Sequence, residues 1–306
     1  MRAIKITSYF IISIVLMMGT KQANAQLAGL QSIYFDNQYL ANPAMAGLDK
    51  GLNLNAGYQA QWTSVPGGPR LQDLTADYNS GNRVGLGFIV NNDATGLISR
   101  TRILGTYAYH LPVSETGKLN FGLSFGVNDS YIDYSKINGD QGDVSVGLFN
   151  QRRIYLDGDV GIAYTTESGL NIQAAVPNLG SILFNSDGSN LAVDRSTFYT
   201  AISYKYQLGD YTRITVEPKL AYRGVKGFQD IADIGGNLTL DDYGLNMMGL
   251  YHTNKAFTAG IGFNLPLSPI RVLFSYTGNA GALGYYANNT FEFGLKYMLF
   301  KTNKNP

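Results

Sequence analysis

The sequence predicts an all-β fold, a transmembrane antiparallel up-and-down β-barrel of about 14 strands. Three observations point there. Apolar residues recur at every second position over stretches of about ten residues. The faces between them are built from glycine, amides and hydroxyls, and only 15% of the chain is charged, against roughly 25% in soluble domains. Short connections alternate with longer ones, as they do between the two ends of a barrel.

The chain opens with Arg2 and Lys5, the apolar stretch IISIVLMMG, and the small residues ANA at 23–25. This is the pattern of a secretory signal peptide over residues 1–25, with cleavage expected after Ala25. The apolar stretch is too short to span a bilayer comfortably. Residues 26–50, QLAGLQSIYFDNQYLANPAMAGLDK, have no period of two. Ile33, Tyr34, Phe35, Tyr39, Leu40 and Met45 make this stretch too apolar for a free tail. It is expected to be a plug or a periplasmic-side brace.

Residues 51–300 carry the barrel pattern. In LNLNAGYQAQW, Leu52, Leu54, Ala56, Tyr58, Ala60 and Trp62 alternate with Asn53, Asn55, Gly57, Gln59 and Gln61. VGLGFIVN from Val84, LNFGLSFGVN from Leu119, ITVEPKLAY from Ile214 and FTAGIGFNL from Phe257 repeat the alternation. A soluble sandwich would put Lys, Glu and Thr on its outer faces. Here the polar face is small and nearly uncharged, which suits a crowded lumen. Several stretches reach ten residues, where soluble strands average ~5–6 and a tilted membrane strand needs ~9–11. Pro218 breaks the pattern of its strand and marks an expected bulge, since proline cannot donate to a ladder.

Tight, turn-forming clusters stand at NSGN (from Asn79), SETG (Ser114), TESG (Thr166), LGDY (Leu208), DDYG (Asp241) and PLSP (Pro266). The connections between them are mostly longer, notably 130–152, 178–196 and 278–289. The tight set is expected in the periplasm and the longer set outside the cell. Trp62, Tyr78, Tyr109, Tyr164, Tyr206, Tyr222, Tyr276 and Tyr297 lie near strand ends, where interfacial aromatic girdles sit. In the last strand, TFEFGLKYMLF, the residues Glu292, Gly294, Tyr297 and Leu299 resemble the terminal signal read by barrel-assembly machinery. Residues 301–306 would be a periplasmic tail.

One resemblance covers essentially the whole mature chain. NPAMAG (with Asn42, Pro43 and Gly47), then QW at Gln61–Trp62 and GGP at 67–69, is similar to the PorP/SprF family. VGLGFIVNNDATG, TYAYHLP, GKLNFGLSFGV and DIGGNL follow in the order found there. The chain departs from the family at Met45, where an aromatic is common, and at ADYN (76–79), where the family shows an S-x-H-like strand end. The resemblance implies an outer-membrane barrel of Bacteroidota associated with type IX secretion and gliding motility. It further implies secretion components and a secreted surface protein as partners.

Chemistry is sparse. There is no cysteine, and His110 and His252 are the only histidines. No G-x-S-x-G or phosphate-binding loop occurs, and zinc would find no ligand cluster. Both histidines are expected to be ordinary polar rim residues, with His252 in the loop YHTN. No catalytic residue and no cofactor is assigned. Asp140 with Asp143, and Asp157 with Asp159, lack the spacing of a calcium loop and read as solvated acids. Glu217, Lys219 and Arg223 share the lumen-facing phase of one strand, as Glu292 and Lys296 do of another. Such charges are expected to pair across the lumen and rigidify the barrel. A net charge of +1 argues against nucleic acid as a partner. The function expected is that of a binding and anchoring component, and the resemblance implies that it holds a secreted protein at the cell surface or links the translocon to periplasmic parts. The rival is a transporter of small or hydrophobic molecules, like the fatty-acid barrels.

Overall fold

The computed structural model describes residues 30–137, 144–151, 154–180, 196–208, 213–225, 229–266, 268–279 and 289–299. The expected leader and tail, Asp140, Asp143 and most of the 178–196 connection lie outside these residues.

The strands are β1 (Leu52–Gln61), β2 (Arg70–Asn79), β3 (Val84–Thr95), β4 (Ile98–Pro112), β5 (Gly117–Ile132), β6 (Ile154–Thr166) and β7 (Leu170–Val176). They continue as β8 (Ser196–Tyr204), β9 (Tyr206–Leu208), β10 (Ile214–Val225), β11 (Ile231–Leu240), β12 (Leu245–His252), β13 (Ala256–Asn264), β14 (Ile270–Asn279) and β15 (Thr290–Leu299). Each pairs antiparallel with its neighbour, and β15 closes onto β1 in register from Leu52↔Leu299 to Gln61↔Thr290. Both β8 and β9 lie against β10, so they are two pieces of one stave and the barrel has 14 strands.

Pro218 explains that interruption. The β10 ladder matches Lys219 to Ser203 and Val216 to Tyr206, and it fails between them. With no N–H at Pro218, the facing strand breaks at Lys205, whose own N–H turns to the Gly169 carbonyl at 2.9 Å. β10 itself runs straight through, with Pro218 opposite Gly236. The expected bulge at Pro218 is therefore a break in the neighbour, and the register shift in β10 lies at Gly224–Val225.

Alternation sets the two faces. Tyr58, Leu74, Phe88, Tyr107, Phe121, Leu123 and Phe125 are exposed on the outside, while Gln59, Thr75, Asn120, Ser124 and Thr258 are buried within. A band of exposed aliphatic and aromatic side chains around a polar interior is the face a barrel presents to lipid. Among the described residues, no helix is long and apolar enough to cross a membrane.

One end carries the turns 80–83, 113–116, 167–169 and 241–244; the other carries the longer connections 62–69, 133–153, 177–195 and 280–289. Two connections on the longer end, 96–97 and 253–255, are themselves tight. There β4 and β5 run 15 and 16 residues, well past the ~9–11 a bilayer requires. β5 takes in residues 130–132, and a short helix α1 (Val144–Gln151) follows. Asn150 ties α1 down by bonding both the N–H and the carbonyl of Ile132, at 2.8 and 3.0 Å. Ahead of β1, three 3-10 turns (Gln31–Tyr34, Gln38–Leu40 and Pro43–Met45) lie against the inner faces of the strands.

Candidate functional site: the filled lumen

The glycines of the inner face make room for the N-terminal segment. A Cβ on Gly85 would lie 2.0 Å from the Ala46 carbonyl oxygen, and one on Gly87 2.3 Å from the Tyr39 hydroxyl. On Gly122 it would lie 2.1 Å from the Pro43 carbonyl carbon, and on Gly161 2.0 Å from Asn42 Oδ1. Gly85 and Gly122 thus meet the backbone of the segment, while Gly87 and Gly161 meet the ends of its side chains. Asn42 caps its 3-10 turn by accepting the Ala44 N–H at 3.0 Å, and it donates from Nδ2 to the Ile162 carbonyl at 3.2 Å. Pro43, first in that turn, has no N–H to leave unsatisfied. Gly47, at φ +67°, turns the chain toward β1, donating to Asp77 Oδ2 at 3.1 Å and accepting from Asn79 Nδ2 at 2.7 Å. Asn42, Pro43 and Gly47 are thus the seat and exit of the segment.

Polar rungs hold the rest. Asn37 Nδ2 donates to Thr75 at 3.1 Å, and Asn171 Nδ2 donates to Gln38 Oε1 at 3.0 Å. The Tyr39 hydroxyl donates to Thr106 at 2.6 Å, which bonds Ser124 at 2.7 Å. His110 stands between Asn120 Oδ1 at 2.9 Å and the Ala46 carbonyl at 3.1 Å. It is buried against the segment, which corrects its expected place on the rim.

A charged cluster receives Tyr34. Its phenol donates to Asp233 Oδ2, which also accepts from Arg223 Nε at 3.0 Å, while His252 Nδ1 meets Asp233 Oδ1 at 2.6 Å. Burial raises the Tyr34 phenol well above its ordinary pKa, so it remains a neutral donor. Lys219 donates to the Tyr34 carbonyl and lies 5.3 Å over the Phe35 ring. Tyr199, Ala201, Ala221 and Leu250 pack round the Tyr34 ring. His252 ends β12 on its inward phase instead of lying in a loop, with Nε2 2.8 Å from Thr258 Oγ1. Asp233, His252 and Thr258 therefore stand in the order of a hydrolase triad. Asp233, however, is already bonded by Arg223 and Tyr34, and Thr258, 2% exposed, also bonds Thr277 at 2.7 Å. The arrangement is a closed polar network.

The remaining lumen charges find partners on neighbouring strands and on the segment. Glu217 accepts from Ser203 at 2.8 Å, and Glu292 accepts from Gln59 at 3.1 Å. Lys296 donates to the Asp36 carbonyl at 3.3 Å, and Arg271 pairs with the Asp36 carboxylate at 2.9 Å. Arg102 forks onto Asp157 and Asp159 at 2.8 and 2.6 Å. The same carboxylates accept the Gly180 and Asn178 N–H groups, each at 2.9 Å. These two acids are buried beneath the half-buried Arg102 and are not solvated. Among the described residues, no group of three or more His, Asp and Glu is placed to hold a metal ion. Glu292, Gly294, Tyr297 and Leu299 all lie on the closing strand, with Gly294 facing Gly57 and Leu299 facing Leu52. Asp233 and Arg102 are not singled out by the sequence, and Tyr34 is read there only as one of the apolar residues of its segment. The inward phases of β11 and β4 carry the signal for Asp233 and Arg102, and nothing local marks Tyr34.

Similar folds occur among solved structures. The Ralstonia pickettii toluene transporter TbuX has a TM-score of 0.50 at 12% identity, over 85% of this chain and 92% of that one. The CymD monoaromatic hydrocarbon channel has 0.48 at 12% identity, over 92% and 95%. Acinetobacter baumannii Omp33 has 0.48 at 8% identity, over 82% and 99%. At such identities the likeness to TbuX concerns the fold alone. No curated protein matches the sequence. The family model described as type IX secretion system membrane protein PorP/SprF matches residues 23–297. With that match across nearly the whole of a lipid-faced 14-strand barrel, the chain belongs to the PorP/SprF family and is an outer-membrane protein.

Proposed function

We propose that this protein works by recognition: a filled barrel, fixed in outer-membrane lipid, that holds a secreted protein at the cell surface or couples the type IX translocon to periplasmic parts. One observation carries the reading. Residues 30–48 are fastened to the inner faces of β2, β4, β6, β7, β10, β11, β14 and β15, which supports reading them as a plug. A lumen lined by bonded amides and ion pairs offers an apolar solute no apolar path, and opening it would strand many polar groups. Recognition then falls to the two ends. The longer connections would grip the secreted partner, and the turn end, with the plug, would meet the machinery. In this scheme the signal peptide is removed after Ala25, and the assembly machinery reads Glu292, Gly294, Tyr297 and Leu299 on the closing strand.

The experiment is deletion of the gene, followed by proteomics of cells and medium. One or a few secreted proteins should leave the surface for the medium while uptake of small solutes stays normal. The purified protein should show no steady conductance in a planar bilayer. A strain that keeps its surface proteins yet loses uptake of a nutrient would establish the transporter reading in its place.

A further inference from the structure

At the end that carries the longer connections, the wall is uneven. Across β2–β6 the last apolar row on the lipid face is Leu74, Val90, Ile103, Val127 and Leu156. Two residues further on, the same outward phase turns polar across β2–β5, at Gln72, Asn92, Thr101 and Asp129. That row marks the edge of the hydrocarbon on this side. β3 and β5 run on past Asn92 and Asp129 to Thr95 and Ile132, a rise along the strand of about 10 Å at ~3.3 Å per residue. The opposite wall stops sooner. There the outward pairs Tyr251–Phe257 and Tyr276–Phe291 stand close to the ends of β12–β15.

The raised tips are tied to one another. The Gly96 N–H donates to the Gly67 carbonyl and the Asp133 N–H to the Leu97 carbonyl, each at 3.0 Å. Within 62–69, the Val65 N–H donates to the Trp62 carbonyl at 2.8 Å and the Gly68 N–H to the Val65 carbonyl at 3.0 Å. Asn150 fastens α1 to Ile132. On this bonded frame Val65, Leu97 and Tyr134 are 40%, 42% and 41% exposed, and Val144 and Leu148 of α1 are 73% and 58% exposed. Val144 and Leu148, four residues apart, share one face of the helix, and Asn150 lies on the far side from Leu148. Single exposed apolar residues need no explanation, but a group of them on one rigid edge marks an interaction surface.

Three observations select the occupant. The polar row beneath the tips keeps them clear of lipid hydrocarbon. A second copy in the same bilayer would stand beside this one, whereas the tips project along the barrel and away from the membrane. The charges next to the patch are already paired, Arg100 with Asp93 and Lys136 with Asp133, each at 3.6 Å, and the exposed Arg70 lies on the outer flank. The patch thus offers apolar contact and no free charge cluster to match. We propose that this raised rim is the seat of the secreted partner, which docks through an apolar, uncharged surface of its own on Val65, Leu97, Tyr134, Val144 and Leu148. This rests on the reading that the longer connections face outward and hold a secreted protein.

The test is the deletion strain complemented with full-length variants, with surface proteins counted in cells and medium by quantitative proteomics. Val65→Glu, Leu97→Glu and Leu148→Glu together should release at least half of what the deletion itself sheds. Val65→Ile, Leu97→Met and Leu148→Met together should release no more than the unmodified complement. Tyr243→Glu, at a position 81% exposed on the turn end, is the control and should retain the surface proteins. Heat-modifiable gel mobility reports whether each variant is folded, and Leu148→Glu alone, with partial release expected, serves if the triple variant is not. Retention by the folded glutamate variants, or equal release by Tyr243→Glu, overturns the assignment. Two further outcomes would do so by naming another occupant. One is strong quenching of Leu148→Trp, in a Trp62→Phe chain, by vesicles of brominated phosphatidylcholine, which makes the occupant lipid. The other is a dimer in detergent that the glutamates dissociate, which makes it a second copy. If the deletion strain sheds proteins that the glutamate variants retain, only the rim assignment falls. If the deletion strain sheds none, the anchoring reading fails and the rim with it.

Discussion

Gly122 and Gly161 face each other across the β5–β6 ladder, and Pro43 and Asn42 of the N-terminal segment occupy the space beside them. The two contacts differ in kind. A Cβ on Gly122 meets backbone, the Pro43 carbonyl carbon at 2.1 Å and the Ala44 nitrogen at 2.2 Å. A Cβ on Gly161 meets first the end of a side chain, Asn42 Oδ1 at 2.0 Å. Overpacking of this sort costs about 1–3 kcal/mol. Gly122→Ala should sit high in that range, because the turn itself must move. Gly161→Ala should sit lower, because Asn42 can rotate. Gly249→Ala, with nothing within 4 Å, should be nearly silent. Urea-titrated folding into lipid vesicles measures all three, and equal losses would disprove the seat.

The lipid face yields a separate comparison at adjacent residues. Leu123 is 56% exposed on the outside of β5, while Ser124 is 1% exposed inside and bonded to Thr106. Leu123→Arg should cost about 2–4 kcal/mol if it lies near the bilayer midplane. Ser124→Ala loses one hydrogen bond, about 1 kcal/mol. The same folding titration reports both, and a mild Leu123→Arg would reverse the facing of the strand.

Much of the barrel is legible in the sequence because period two asks only which side of a strand a residue is on. The alternation from Leu52 to Trp62 reads the faces of β1 correctly. What the inward glycines are for is not legible, because the answer is a segment 39 to 119 residues away in sequence, between Gly85 and Ala46 at one extreme and Gly161 and Asn42 at the other. His252 could have been placed by extending the phase of Asn246, Met248 and Leu250 by one more step. Reading YHTN as a loop ended β12 too early. Lys219 and Arg223 stand out from their strand phase, but Tyr34, which both approach, lies in a stretch with no period.

Orientation can be tested with single cysteines, since the native chain has none. Ser80 is exposed in the 80–83 turn, and Ser135 is exposed at the opposite end in the turn after β5. A membrane-impermeant maleimide on intact cells should label Ser135→Cys and spare Ser80→Cys. Both should react once the cells are lysed. The inverse pattern on intact cells would turn the barrel over.

The cluster at Asp233 separates structure from catalysis. Arg223 and Asp233 have side chains 7% and 0% exposed, so removing the carboxylate strands a buried guanidinium. Asp233→Ala should therefore cost about 3–5 kcal/mol. Tyr34→Phe keeps the packed ring and loses one hydrogen bond to a charged acceptor, about 1.5–3 kcal/mol. Because both changes break the same bond, the double variant should cost less than the sum, and the shortfall measures how firmly the N-terminal segment is tied to the wall. Thr258→Val keeps the shape of the side chain and removes the hydroxyl that His252 contacts at 2.8 Å. A structural network predicts a modest loss of stability and intact retention of surface proteins in the complemented deletion strain. Loss of retention by a Thr258→Val protein that folds and inserts normally would instead identify Asp233, His252 and Thr258 as a reacting triad, and the recognition reading would have to give way.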